Sequence, residues 1–172
     1  MEHVISVLVE NRPGVLAHIA GMFSQRGYNI DSLAVGETMD PTLSRITVVA
    51  RGDDRVIEQI IKQLGKIVDV VRIVDLAEKE HVSRELVLVK VGCNSHNRSE
   101  IMQLCDIFRA RIIDVGHTSL VIEVVGEPGK LNALIELFKP FGILEICRTG
   151  RVGVFRGEKI LKTRKHDEGE KL

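Results

Sequence analysis

The stretch VLVENRPGVLAHIAGMFSQRGYNI, Val7–Ile30, decides how the chain is read. Its first residues alternate β-branched and aliphatic side chains and predict a strand. Asn11-Arg12-Pro13-Gly14 then breaks the run. Pro13 suits the first turn of a helix, where its missing N–H costs nothing. Val15, Leu16, Ile19, Ala20 and Phe23 follow at helical spacing. Gly27 predicts a left-handed stop to that helix. A second asparagine, Asn29, stands at the mouth of the next strand.

Working outward, residues 30–37 and 44–51 predict two strands joined by the turn Met39-Asp40-Pro41-Thr42. Asp53 or Asp54 can cap a second helix with the stripe Val56, Ile57, Ile60, Ile61 and Leu64. Residues 67–75 predict a fourth strand. The order is β-α-β-β-α-β, two helices over one face of an antiparallel sheet. Val4, Val48 and Val70 indicate that the other face is not wholly polar. After a charged segment the order recurs: strand 85–93, helix 98–109 with Asn97 as cap, strands 111–116 and 119–126, helix 130–142 and strand 143–149. Residues 151–157 add a further short strand. The fold class is α+β, with two ferredoxin-like βαββαβ units. The expected bounds are 1–77 for the first unit, 78–84 for a linker, 85–158 for the second unit and 159–172 for a charged tail. The halves share only an echo, PGVLAHIAGMF at 13–23 and PGKLNALIELF at 128–138. It opens the first helix of one unit and the second helix of the other, so it is common helix-start chemistry and not a repeat.

Bulk properties exclude several classes. The 172 residues carry 24 basic and 24 acidic side chains, which argues against a broad nucleic-acid footprint. Aromatic residues make up 3%, too few for base-stacking platforms. No apolar run is long enough to span a bilayer, and the N-terminus lacks signal-peptide features, so no membrane association and a cytoplasmic location are expected. Cys93, Cys105 and Cys147 are odd in number and widely spaced, which fits a reducing compartment.

Little in the chain points to catalysis. Cys93 and His96 have C-x-x-H spacing without a second ligand pair, and the other histidines are scattered, so no metal is expected. There is no nucleophile elbow, no phosphate loop and no dinucleotide fingerprint. Asp53-Asp54 reads as a helix cap before it reads as an acid–base pair. Catalytic residues and cofactors are therefore expected to be none.

The opening turn offers recognition instead. A helix start presents unpaired backbone N–H groups, here those of Gly14, Val15 and Leu16, suited to a carboxylate. Gly14 lets a ligand approach the main chain. Asn11 and Asn29 each bring an amide donor and a carbonyl acceptor, which an α-amino acid zwitterion needs, and Ile30 supplies apolar contact. On the residues alone a plain strand-to-helix turn is the simpler account, and both readings stand.

The segment SVLVENRPGVLAHIAGMFSQRGYNIDSLAVGETMDPTLSRITVV closely resembles the ACT domain of the small, regulatory subunits of acetolactate synthase (acetohydroxyacid synthase). FSQRGYNIDSL and DPTLSRIT are specific to that family within ACT domains. KQLGKIVDVVRIVDL, RELVLVKV, IFRARIIDV and RTGRVGVFRG extend the likeness to about residue 160. The resemblance implies an ACT domain at 1–77 that dimerises and a C-terminal ferredoxin-like domain. It implies a homodimer that associates with a large catalytic subunit holding thiamine diphosphate, Mg and FAD. It also implies activation of that subunit and feedback inhibition by valine or another branched-chain amino acid. The effector-binding residues it implies are Asn11, Gly14, Val15, Leu16, Asn29 and Ile30, in a pocket where two ACT domains meet. A free-standing amino-acid-responsive ACT regulator is the alternative. The tail after about Lys159 is longer and more charged than the family pattern.

Overall fold

The structure is a computed structural model and describes residues 1–161. It divides into two compact units, Met1–Ser83 together with the chain from Arg151, and Arg84–Gly150.

In the first unit, β1 (Glu2–Glu10), β2 (Ile30–Glu37), β3 (Leu43–Arg51) and β4 (Val70–Asp75) form an antiparallel sheet in the order β2-β3-β1-β4. Helices α1 (Val15–Gln25) and α2 (Asp54–Leu64) connect them. Side chains on a strand alternate between faces. Ile5, Val7 and Val9 of β1 meet Ile46 and Val48 of β3 under Val15, Ile19 and Phe23 of α1 and Ile57, Ile60 and Leu64 of α2. Asp53 caps α2 by accepting from the Val56 N–H at 2.9 Å. Gly27, at φ 69°, supplies the left-handed stop after α1.

Several expectations need correction. The helix begins at Val15 with Gly14 as its cap residue, so Pro13 lies before the helix and not in its first turn. Of the three valines expected on the far sheet face, only Val4 is there. Val48 is part of the core beneath the helices, and Val70 packs against that core. On the far face Val4, Val49 and Leu76 are buried together, with Val74 and Phe155 against them.

The second unit repeats the plan. β5 (His81–Gly92), β6 (Arg111–Val115), β7 (Ser119–Gly126) and β8 (Ile143–Arg148) pair in the order β6-β7-β5-β8. Helices α3 (Arg98–Phe108) and α4 (Pro128–Phe138) seal a core of Val87, Val89, Val91, Ile122, Val124, Ile101, Leu131, Leu134 and Phe138. Asn97 is the residue before α3, but its side chain makes no cap bond to the helix. Its Oδ1 accepts instead from the Asn94 N–H at 2.8 Å.

The boundary falls differently from the expected one. Residues 81–84 are already strand, where a linker to 84 was expected. The short strand β9 (Val152–Phe155) belongs by hydrogen bonding to the second sheet, as assigned in sequence, while its residues group with the first unit. It pairs with β5. Gly153 lies so close that a Cβ there would stand 2.9 Å from Leu76 Cδ1 and 3.4 Å from the Val82 carbonyl. Leu76 is only 1% exposed and has little room to yield. Gly153→Val is therefore expected to destabilise the protein by about 1–3 kcal/mol through overpacking. Urea denaturation followed by circular dichroism checks this, and an unchanged midpoint would contradict the packing described.

Candidate functional site

The N-terminus of α1 is the most open polar feature of the expected site. Gly14 has φ 90° and ψ −18°, a conformation that L side chains rarely adopt, and a Cβ there would meet nothing within 4 Å. The glycine is thus required by backbone geometry, and it leaves the helix end uncovered. The first helical bond is His18 N–H to the Gly14 carbonyl at 3.0 Å. Among the described residues the Gly14, Leu16 and Ala17 N–H groups have no acceptor, whereas Val15 N–H leans on the Arg12 carbonyl at 3.4 Å. The donor set is therefore Gly14, Leu16 and Ala17; the expected N–H of Val15 is engaged. Such a set, at the positive end of a helix dipole, suits a carboxylate.

Asn11 sits beside these donors. Its N–H donates to the Thr42 carbonyl at 2.7 Å, and its Nδ2 donates to the Pro41 carbonyl at 2.9 Å and toward Glu37 Oε2 at 3.4 Å. Its amide hydrogens are thus spent on the β2–β3 turn, and Oδ1 remains as an acceptor. The side chain of Val15 is buried in the core and cannot line a pocket, while Leu16 is exposed. Arg12, Asp69, His18 and Glu37 surround the turn and were not singled out from sequence. Arg12 pairs with Asp69 at 2.6 Å, and His18 Nδ1 lies 3.7 Å from the same carboxylate. Only strand pairing brings Asp69 and Glu37 to Asn11, so no local motif announces them.

Asn29 and Ile30 are elsewhere. Ile30 pairs with Ala50, which itself faces His3 at the start of β1, whereas Glu37 pairs with Ser44 near the end of β1. From Ile30 to Glu37 is roughly 24 Å of extended chain. Asn29 Nδ2 donates to Asp31 Oδ1 at 2.8 Å, and Asp31 holds Arg51 at 2.6 Å. One chain therefore brings Asn11, Gly14 and Leu16 together but leaves Asn29 and Ile30 at the opposite end of the sheet.

No group of three or more His, Cys, Asp or Glu among the described residues is arranged to hold a metal. His96 is exposed, and Cys93 is buried with its Sγ 3.4 Å from an Arg98 guanidinium nitrogen, so the C-x-x-H pair is not convergent. Burial, helped by Asp106, pushes the Cys105 thiol up to about 11. The thiolate is the reactive form. At pH 8 a disulfide reagent is expected to modify exposed Cys147 quickly, and Cys105 and Cys93 only after unfolding. The unfolded Cys105 thiol ionises near 9 and the folded one does not until about 11, so its contribution to stability falls as pH rises above about 9. Rapid modification of all three thiols in the folded chain would contradict this burial.

Comparison with known proteins places the chain in a family. Residues 84–157 match the family described as "Small subunit of acetolactate synthase", and residues 5–72 match "AHAS small subunit-like ACT domain". The chain is 50% identical over 159 residues to a probable acetolactate synthase small subunit of Archaeoglobus fulgidus, covering 92% of this chain and 99% of that protein. It is 47% identical over 163 residues to the acetolactate synthase small subunit of Mycobacterium bovis, covering 95% and 97%. The crystal structure of the acetolactate synthase small subunit from Thermotoga maritima superposes with a TM-score of 0.84 at 42% identity, covering 92% of this chain and 99% of that one. The chain belongs to the acetolactate synthase small-subunit family.

Proposed function

We propose, with membership of the acetolactate synthase small-subunit family as the premise, that the chain is a non-catalytic regulator. It binds a branched-chain amino acid, valine in the first instance, and conveys that binding to a large catalytic subunit. That partner carries thiamine diphosphate, Mg and FAD, and the regulator both raises its activity and makes it sensitive to the end product. The reading rests chiefly on one observation: the uncovered helix start at Gly14, with Asn11 beside it and Asn29 out of reach in the same chain.

The effector carboxylate lies against the N–H groups of Gly14, Leu16 and Ala17. Its ammonium finds acceptors in Asn11 Oδ1 and the neighbouring Glu37 carboxylate. The missing wall comes from a second copy. β2 is an edge strand of the first unit's sheet, with Val35 half exposed. Unpaired edges invite further pairing. If two β2 strands meet antiparallel about a twofold axis, the Asn29 end of one lies beside the Glu37 end of the other. Because Asn11 touches Glu37, Asn29 and Ile30 of the second copy then close the pocket over Asn11 and Gly14. Two equivalent sites result, each built from both chains, as an isologous interface requires. Effector binding thus stabilises one arrangement of the pair, and a coupling of about 1–3 kcal/mol is enough to change partner activity roughly 5- to 150-fold.

A shared site has a distinctive signature. Asn11→Ala and Asn29→Ala homodimers are each expected to lose valine inhibition of acetolactate formation in the reconstituted complex. Co-expressed and isolated as a mixed dimer, they carry one doubly altered site and one intact site. Half-stoichiometric valine binding by calorimetry is then expected to return. No recovery in the mixed dimer would exclude a pocket shared in this way. Gly14→Asp places a carboxylate where the effector's must lie, and is expected to abolish inhibition while leaving activation of the catalytic subunit in place. A folded Gly14→Asp chain that still conferred full valine inhibition would remove the pocket from this turn.

A further inference from the structure

The far face of the first unit's sheet carries a second polar site. Strand pairing sets Arg45, Leu8 and Arg72 in one row across β3, β1 and β4, and Thr47, Ser6 and Val74 in the next. The chain from Gly153 to Leu161 passes over this face and leaves a cleft of about 280 Å³, which lies wholly within the first unit. Ser6, Arg45, Leu76, Phe155, Lys159 and Ile160 are among its walls. Ser6 is 1% exposed, yet among the described residues its Oγ has no hydrogen-bond partner, and neither has the buried Nε of Arg45.

Buried polar atoms are almost always satisfied, so two orphans in one cleft call for a partner. Arginine is donor-only, so that partner must accept. Among the described residues no Asp or Glu lines this cleft. A guanidinium fork matches a planar carboxylate. Lys159 adds a second positive charge at the rim, and Leu76, Phe155 and Ile160 offer apolar contact. Among the described residues no carboxylate or carboxamide side chain lines this cleft to take an ammonium, as Asn11 and Glu37 do at the α1 turn; the lone side-chain acceptor is the Ser6 hydroxyl, a poor match for three N–H donors.

We propose that this cleft binds a small monocarboxylate with a short hydrocarbon body and no α-ammonium group. Arg45 Nε and Ser6 Oγ donate to the carboxylate oxygens, and Lys159 supplies charge. The site lies on the sheet face opposite α1 and does not depend on the effector turn.

Isothermal titration of the full-length chain with isobutyrate, at constant ionic strength, tests this. Valine and inorganic phosphate serve as the comparison ligands. Saturable isobutyrate binding is expected, unchanged in Gly14→Asp, which separates it from the effector pocket. Valine is expected not to bind the Gly14→Asp chain. Arg45→Gln is expected to weaken isobutyrate at least about tenfold, the loss of a charge-assisted hydrogen bond, and Ser6→Ala several-fold. Lys159→Gln, at an exposed position, gives a further weakening that does not hinge on whether Arg45→Gln folds, which circular dichroism reports. Absence of saturable binding, affinity unchanged in Ser6→Ala and Lys159→Gln, loss of binding in a folded Gly14→Asp chain, or preference for phosphate would each overturn the assignment.

Discussion

Strand β1 must satisfy two faces at once, and the rest of the first unit follows from that constraint. Its side chains alternate, so Ile5, Val7 and Val9 point under the helices while Val4, Ser6 and Leu8 point the other way. Both sets are buried. The first set fixes α1 and α2 through Ile19, Phe23, Ile60 and Leu64. The second set demands cover on a face where a four-stranded βαββαβ unit has none of its own. The cover comes from Gly153 and Phe155, far along the chain.

The same strand sets the position of the turn at Asn11–Gly14. β1 ends at Glu10, and the chain must reverse into α1 within four residues. Only a left-handed residue makes that reversal here, and Gly14 occupies it. The consequence, among the described residues, is a helix start with no side chain in front of it and three amides without acceptors. Asn11, held by the Pro41 and Thr42 carbonyls, is fixed in place by the β2–β3 turn and not by α1. The two ends of the turn are therefore held by different elements. The direction of β2 carries Asn29 away from it, so a site that needs both asparagines is a property of two chains.

Much of this was legible in the residues. The strand–turn–helix pattern, the Asp53 cap, the Gly27 stop and the βαββαβ order all follow from local chemistry, and the structure reproduces them. What failed depended on non-local partners. Pro13 has the right ring for a first helical turn, but the reversal at Gly14 delays the helix past it. Val48 and Val70 look like any other strand valines. Their facing is set by register against β1, with an irregularity between Leu8 and Val9 that alternation alone does not reveal. At the candidate site, Asn11 and Gly14 were visible because the turn is local. The separation of Asn29, the engagement of the Val15 N–H and the proximity of Glu37 and Asp69 arise only when strands pair. The membership of β9 in the first unit's packing was hidden for the same reason, since VGVF carries no sign of which core it covers.

That membership has an effect on biogenesis. The strand that shields Val4, Val49 and Leu76 leaves the ribosome only after the whole of the second unit has been made. Until then a nascent N-terminal half holds a greasy surface that its own sequence cannot hide. Translation is slow compared with local folding, so the half-made polypeptide spends seconds in a sticky state. A premature stop anywhere in the second unit would thus leave that surface bare for good.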